Sequence, residues 1–218
     1  MREFDPTLSE IVIIQRSFDI ENFSGADTLD GKRTHIVLHL GKLMGKFATV
    51  EEQADHGVVD ASVLMTDVAP DLLVYAAQLT EYTGGDLSLQ YARYAGLQGY
   101  RYADAPEPAT LSELQFELSD FSQQLGSSSS AEERRDIYFE LHQPIAELAA
   151  IELNRIMAKG DIDKIKYGIA PLLVRSAIEI ANLTNESLSA AYDQRLDYVA
   201  ERNGNGIASA KRARSKVQ

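Results

Sequence analysis

The chain contains no cysteine, which excludes a disulfide framework, a thiolate metal site and a thiol nucleophile. It also has no apolar run approaching the roughly 18–20 residues needed to span a bilayer, so no membrane partner is expected. The opening Met1-Arg2-Glu3-Phe4-Asp5 lacks a basic-then-apolar secretory pattern, and a cytoplasmic protein is the expectation. Basic charge is scarce: 21 Lys and Arg stand against 33 Asp and Glu, for a net charge of −12. Such a surface repels a phosphate backbone and argues against nucleic acid as a partner. No Ser-His-Asp order, Gly-rich phosphate loop or zinc-ligand spacing is found. Sustained period-two alternation, the mark of a half-buried strand, is missing too.

What is present is an internal repeat. Thr7-Leu8-Ser9-Glu10 returns as Thr110-Leu111-Ser112-Glu113, and Phe18 then matches Phe121. Further on, Val68-Ala69-Pro70-Asp71-Leu72-Leu73 faces Ile169-Ala170-Pro171-Leu172-Leu173-Val174. The same shift pairs Ile36, Leu40 and Glu51 with Ile137, Leu141 and Glu152, and later Tyr91 with Tyr192. A near-constant offset held over most of the chain indicates tandem duplication. The boundaries expected are a first helical unit over 1–104, a Pro-containing linker over 105–109, a second unit over 110–204 and a disordered basic tail over 205–218.

Each unit reads as four helices. Thr7 or Ser9 suits the N-cap of the first, with Thr110 and Ser112 in the same role. Ile36, Leu40, Leu43 and Phe47, at 4-3-4 spacing, define a second helix. A third restarts around Pro70 and Pro171, because proline suits a first helical turn and breaks an interior one. Gly84-Gly85 and Asn185 supply turns before a fourth helix over Leu87–Leu97 and Leu188–Arg202. Pro144 falls inside the second helix of the second unit and is expected to displace its start or bend it. The fold expected is all-α: two four-helix bundles packed on each other.

The order of Ile14-Gln15-Arg16-Ser17-Phe18-Asp19, the helix His35–Leu43, the run Val68–Tyr75 and the Gly84-to-Leu87 turn resembles the MazG-like, all-α nucleoside triphosphate pyrophosphohydrolases. The likeness covers about 80 residues and returns more weakly in the second unit. It implies two tandem MazG-like units packed as an intramolecular pseudo-dimer. It further implies metal-dependent hydrolysis of a nucleoside triphosphate to monophosphate and pyrophosphate, with Mg²⁺ or Mn²⁺ on a cage of helix-borne carboxylates. At the positions of that cage stand His39 and Lys42 in the first unit and Glu140 and Gln143 in the second. The partner helix has Val68 and Asp71, then Ile169 and Leu172, with Asp67 a stand-in for the acid beside Val68. The alternative is a catalytically degenerate nucleotide-binding or assembly protein on the same fold.

Residue types and spacing leave three uses open for the first unit. His35, His39, Lys42 and Lys46 form a polar stripe at 4-3-4 spacing, and Asp67 and Asp71 share a face if helical geometry extends through Pro70. Two His and two Asp are a set for a transition metal, with His39, Asp67 and Asp71 the catalytic candidates. Lys42 and Lys46 are candidates for direct contact with substrate phosphates. The third use is a solvated face with loose ion pairs. Glu52 and His56 could join such a site, or close a charged helix end before Gly57. Tyr91, Tyr94, Tyr100 and Tyr102 could stack on a base but suit packing as well. In the second unit, Arg175 and Glu179 are spaced for a helix-surface ion pair. That unit reads as the supporting half. A monomeric pseudo-dimer or a homodimer is expected, with a nucleotide as partner.

Overall fold

A computed structural model describes residues 4–23, 29–57, 62–98, 108–125, 130–154 and 157–217. Helix α1 (Leu8–Asn22) starts on a capping box. The Thr7 side chain accepts the Glu10 N–H at 3.3 Å, and Glu10 accepts the Thr7 N–H at 2.7 Å. Helix α5 (Leu111–Leu125) starts with the same pair of bonds at Thr110 and Glu113. A cap of this kind contributes about 1 kcal/mol. α1 then buries Leu8, Ile11, Ile14 and Phe18 on one stripe. α2 (Leu29–Asp55) buries Ile36, Leu40, Leu43 and Phe47, the stripe read from the sequence.

The third helix differs from expectation at its start. The chain is helical on both sides of Pro70, because the turn Leu64–Val68 is π-helical and leads without a break into α3 (Ala69–Thr83). The Ala69 N–H reaches back five residues to the Leu64 carbonyl, a wider register that absorbs the donor missing at Pro70. The second half does the same: α7 (Lys159–Lys164) and the π-helical Ile165–Ile169 run into α8 (Ala170–Thr184), with Pro171 at its start. Gly84 and Asn185, both at positive φ, end α3 and α8. Asp86 and Ser187 cap α4 (Leu87–Leu97) and α9 (Leu188–Arg202). α6 (Ser130–Leu153) continues through Pro144, so its start is not displaced. The molecule is all-helical among the described residues, which contain a lone β-bridge between Thr7 and Thr110. No helix is long and apolar enough to cross a membrane.

α3 and α8 pack on each other at the centre, and α2 lies along α6. Leu72, Leu73, Ala76 and Leu79 of α3 and Leu173, Val174, Ala177 and Ile180 of α8 have no exposed surface. Ion pairs cross between α2 and α6 reciprocally. Arg33 pairs with Glu152, and Arg134 pairs with Glu51, the same residue types with the two halves exchanged. Arg135 adds a bond to Asp55 at 2.9 Å. Part of the expected linker, 105–107, lies outside the described residues.

The basic tail expected to be disordered is corrected by the structure: Ile207–Arg214 form α10, laid against α1. Ala210 and Ala213 supply a small apolar face that is wholly buried. Its two arginines are matched to carboxylates, Arg212 to Glu21 and Arg214 to Asp193 and Asp197. The Arg214 guanidinium also sits 5.8 Å from the Phe4 ring, itself stacked on Tyr192. Charge clustered in sequence had masked a helix whose partners lie on α1 and α9. Deleting residues 206–218 should therefore destabilise the protein by about 2 kcal/mol, a fall in Tm of roughly 4–8 °C. An unchanged thermal melt would show that the tail does not dock.

Candidate functional site

α3 brings Asp71 into its first turn, and the π-helical turn before it sets Asp67 on the same side. Asp71 is buried, so its carboxylate needs a partner. That partner comes from the other half of the chain. Arg195 on α9 binds Asp71 through two bonds of 2.6 Å, from Nε and Nη2, and reaches Asp67 from Nη1 at 2.9 Å. Lys46 on α2 takes the remaining Asp67 oxygen. Burial pushes the Asp71 carboxyl above its ordinary range against the pull of Arg195. Burial acts on Asp67 in the same sense, but the Lys46 hydrogen bond and the charges of Lys46 and Arg195 outweigh it and hold that carboxyl low.

All four oxygens of the acidic pair are thus engaged by cationic N–H donors. A divalent metal requires several anionic oxygens free to coordinate, and the pair in this arrangement does not fit one. The described residues include no group of three or more His, Asp or Glu placed to hold a metal ion. The imidazoles of His35 and His39 lie against each other instead, tilted by 32° with ring centroids 4.1 Å apart. Burial lowers both, and His39 is lowered further by His35, Lys42 and Arg195, so neutral rings are favoured.

Beside the acidic pair opens a cleft of about 260 Å³ between α1, α2, α3 and α9. Its walls carry Phe18, Phe23, Tyr75 and Tyr198, together with the paired imidazoles and the aliphatic Val74, Leu196 and Val199. Lys42 and Arg202 stand on its rim, both exposed, and neither has an ion-pair partner among the described residues. Gln15 and Gln78 line it from α1 and α3. Their amide nitrogens donate to Asp19, which is buried and pushed up to about 6 by that burial. An aromatic slot with cations at its mouth is suited to a planar ring bearing negative charge.

The structure therefore brings His35, His39, Lys42 and Asp71 to one cleft and leaves Asp67 and Lys46 paired at its side. Glu52 and His56 are exposed at the end of α2, away from these groups. Tyr91 is packed in the core, while Tyr100 and Tyr102 lie outside the described residues. In the second half Arg175 does pair with Glu179, at 2.7 Å, and also approaches Glu140 at 3.5 Å. Burial raises Glu179 to about 7. Sequence reasoning missed Arg195, Arg202 and Asp19. Arg195 stands where the offset expected from the sequence would place the counterpart of Tyr94, so that expected pairing offered a signal, a cation opposite an aromatic. Searched against family models, curated proteins and solved structures, the chain matches none of them.

Removing Arg195 would strand Asp71 without a counter-charge. Arg195→Ala should destabilise the fold by about 3 kcal/mol in urea denaturation, whereas Lys46→Ala, whose ammonium is partly exposed, should cost less than about 1 kcal/mol. Equal effects of the two substitutions would contradict this ranking.

Proposed function

We propose that this chain is a nucleotide-binding protein made of two copies of one MazG-like helical unit, and that it holds its ligand in the aromatic cleft without a catalytic metal. The ring enters between the aromatic walls, and the phosphates meet Lys42 and Arg202. The observation that carries this reading is the placement of Arg195. It fills the space between the two acids where the resemblance to pyrophosphohydrolases would put a metal, and it does so beside a cleft whose remaining cations, Lys42 and Arg202, have no ion-pair partner among the described residues. The charge a metal would supply is then supplied by fixed side chains.

The duplication draws support from geometry as well as from sequence. α3 and α8 are offset by the shift seen in the sequence, Ala69 to Ala170 and Thr83 to Thr184, and the π-helical turns before them share it. The crossed pairs Arg33–Glu152 and Arg134–Glu51 are what an isologous two-fold interface produces when its two subunits are joined in one chain. In such an arrangement a site in one half is completed from the other. Arg195 does this for the acids of α3, and Tyr94 of α4 lies beside Arg175 of α8 in the opposite sense.

A panel of nucleoside mono- and triphosphates, tested by thermal shift in EDTA and again in Mg²⁺, separates this reading from hydrolysis. We expect at least one nucleotide to raise Tm in EDTA, with affinity reduced about tenfold or more in Lys42→Ala/Arg202→Ala and no pyrophosphate released. Mg²⁺-dependent pyrophosphate release abolished by Asp71→Ala would establish the hydrolase instead. A panel without any shift would dismiss nucleotide binding.

A further inference from the structure

Beneath the cleft lies a buried carboxylate that the phosphate and metal arguments leave unused. Asp19 and Gln15 are one helical turn apart on α1, and Gln78 faces them from α3. The Gln15 amide nitrogen donates to one Asp19 oxygen at 2.7 Å, and the Gln78 amide nitrogen donates to the other at 2.8 Å. An ionised carboxylate only accepts hydrogen bonds, so it turns both carboxamides with nitrogen inward. Gln15 is then fully used, because its oxygen accepts the Tyr192 hydroxyl at 3.3 Å. Gln78 is not. Its oxygen has no hydrogen bond among the described residues and is not sealed off from solvent, while the residue lines the cleft.

We propose that Asp19 is a positioning residue that holds the Gln78 carbonyl oxygen towards the cleft, so that the site selects a ring carrying an N–H donor, amino or imide. This rests on the nucleotide reading of the cleft and adds what the ring must present. The orientation depends on Asp19 remaining an acceptor on both oxygens. When Asp19 takes up a proton, one oxygen becomes a donor and one amide must turn. Gln15 is restrained, because turning it would leave the wholly buried Tyr192 hydroxyl without its acceptor. Gln78 has Asp19 as its one hydrogen-bond partner among the described residues and can reverse, which brings its NH₂ into the cleft.

The surroundings favour a switch at mildly acidic pH. The pKa of about 6 is raised by burial, opposed by the two amide bonds and by Lys32 of α2, and assisted by Glu81 of α3. His35 of α2 lines the same cleft, and its depressed pKa favours the neutral ring. Tyr75 of α3 and Tyr192 of α9 are both raised by burial and stay protonated. From α10, Arg212 and Arg214 are held by Glu21 and by Asp193 and Asp197. Arg93 of α4 lies over the Tyr167 ring. The donor-selecting orientation is therefore present above about pH 6 and lost below it.

Two matched pairs test this: ATP against purine riboside triphosphate, and UTP against N3-methyl-UTP. At pH 7.5 the donor-bearing member of a binding pair should bind about tenfold more tightly, because the other leaves the carbonyl unpaired. Gln78→Leu, Asp19→Asn and wild-type protein at pH 5 should each reduce that preference to less than about threefold. Pairs that bind equally in the wild type, or a preference that survives Gln78→Leu, would overturn the selectivity alone. No binding by any of the four would overturn the nucleotide reading and the selectivity together. Without ligand, the side-chain ¹⁵N–¹H signal of Gln78 should titrate with a midpoint near pH 6 and stop titrating in Asp19→Asn. A Gln78 signal indifferent to pH and to Asp19→Asn would overturn the positioning role directly.

Discussion

The central constraint is the mutual burial of α3 and α8. Both helices start at Ala-Pro, both are preceded by a π-helical turn, and both are buried over most of their length. Burying a helix start also buries whatever side chains it carries. The first turn of α8 carries Leu172 and no acid, but that of α3 carries Asp71. A carboxylate there is tolerated because a guanidinium arrives from α9 in bidentate geometry, the arrangement in which a planar fork matches two oxygens. The position of α9, and with it one wall of the cleft, is tied to that pairing.

The same constraint makes the two halves interdependent. The sequence presents the second unit as support for the first, since it has apolar Ile169 and Leu172 at the expected ligand positions. The structure gives it a direct part: Arg195, Tyr198 and Arg202 of α9 supply the counter-ion, an aromatic wall and a rim cation to a cleft that α1, α2 and α3 line from the other side. Arg175 among Glu140, Glu179 and Tyr94 follows a similar logic on the opposite side, with a cation compensating the largely buried Glu179 and reaching the exposed Glu140. α10 then covers α1 from the C-terminal side and joins the two ends of the chain through Phe4, Tyr192 and Arg214.

Much of the architecture is legible from local rules. Thr7 or Ser9, and Thr110 or Ser112, read as helix caps; the structure selects Thr7 and Thr110, each closing a capping box with the Glu three residues on. The 4-3-4 stripe from Ile36 to Phe47 is the buried face of α2, and Gly84 and Asn185 stop their helices as turn chemistry requires. The π-helical turns were not legible, because proline reports only that a donor is missing and not how the preceding turn adjusts. α10 was hidden because a run of Lys and Arg reads as solvated until its acidic partners, distant in sequence, are known. The site was half legible. His35, His39, Lys42 and Asp71 do meet at one cleft, yet Arg195 is one arginine on a polar helix, and its position opposite Tyr94 marks it as unusual without telling that it faces two acids more than a hundred residues away. Spacing identifies which residues share a helix face, whereas electrostatic partnership is settled by packing.

Whether Arg195 stands where a metal would otherwise be held decides between metal-free binding and metal chemistry at the acidic pair. Titration of the ligand-free protein with Mn²⁺, followed by electron paramagnetic resonance of the free ion, tests that directly. Wild-type protein should leave the Mn²⁺ signal undiminished, since every oxygen of Asp67 and Asp71 is already engaged. Stoichiometric loss of the signal in the wild type, restored by Asp71→Asn, would contradict the account and return the acidic pair to metal chemistry.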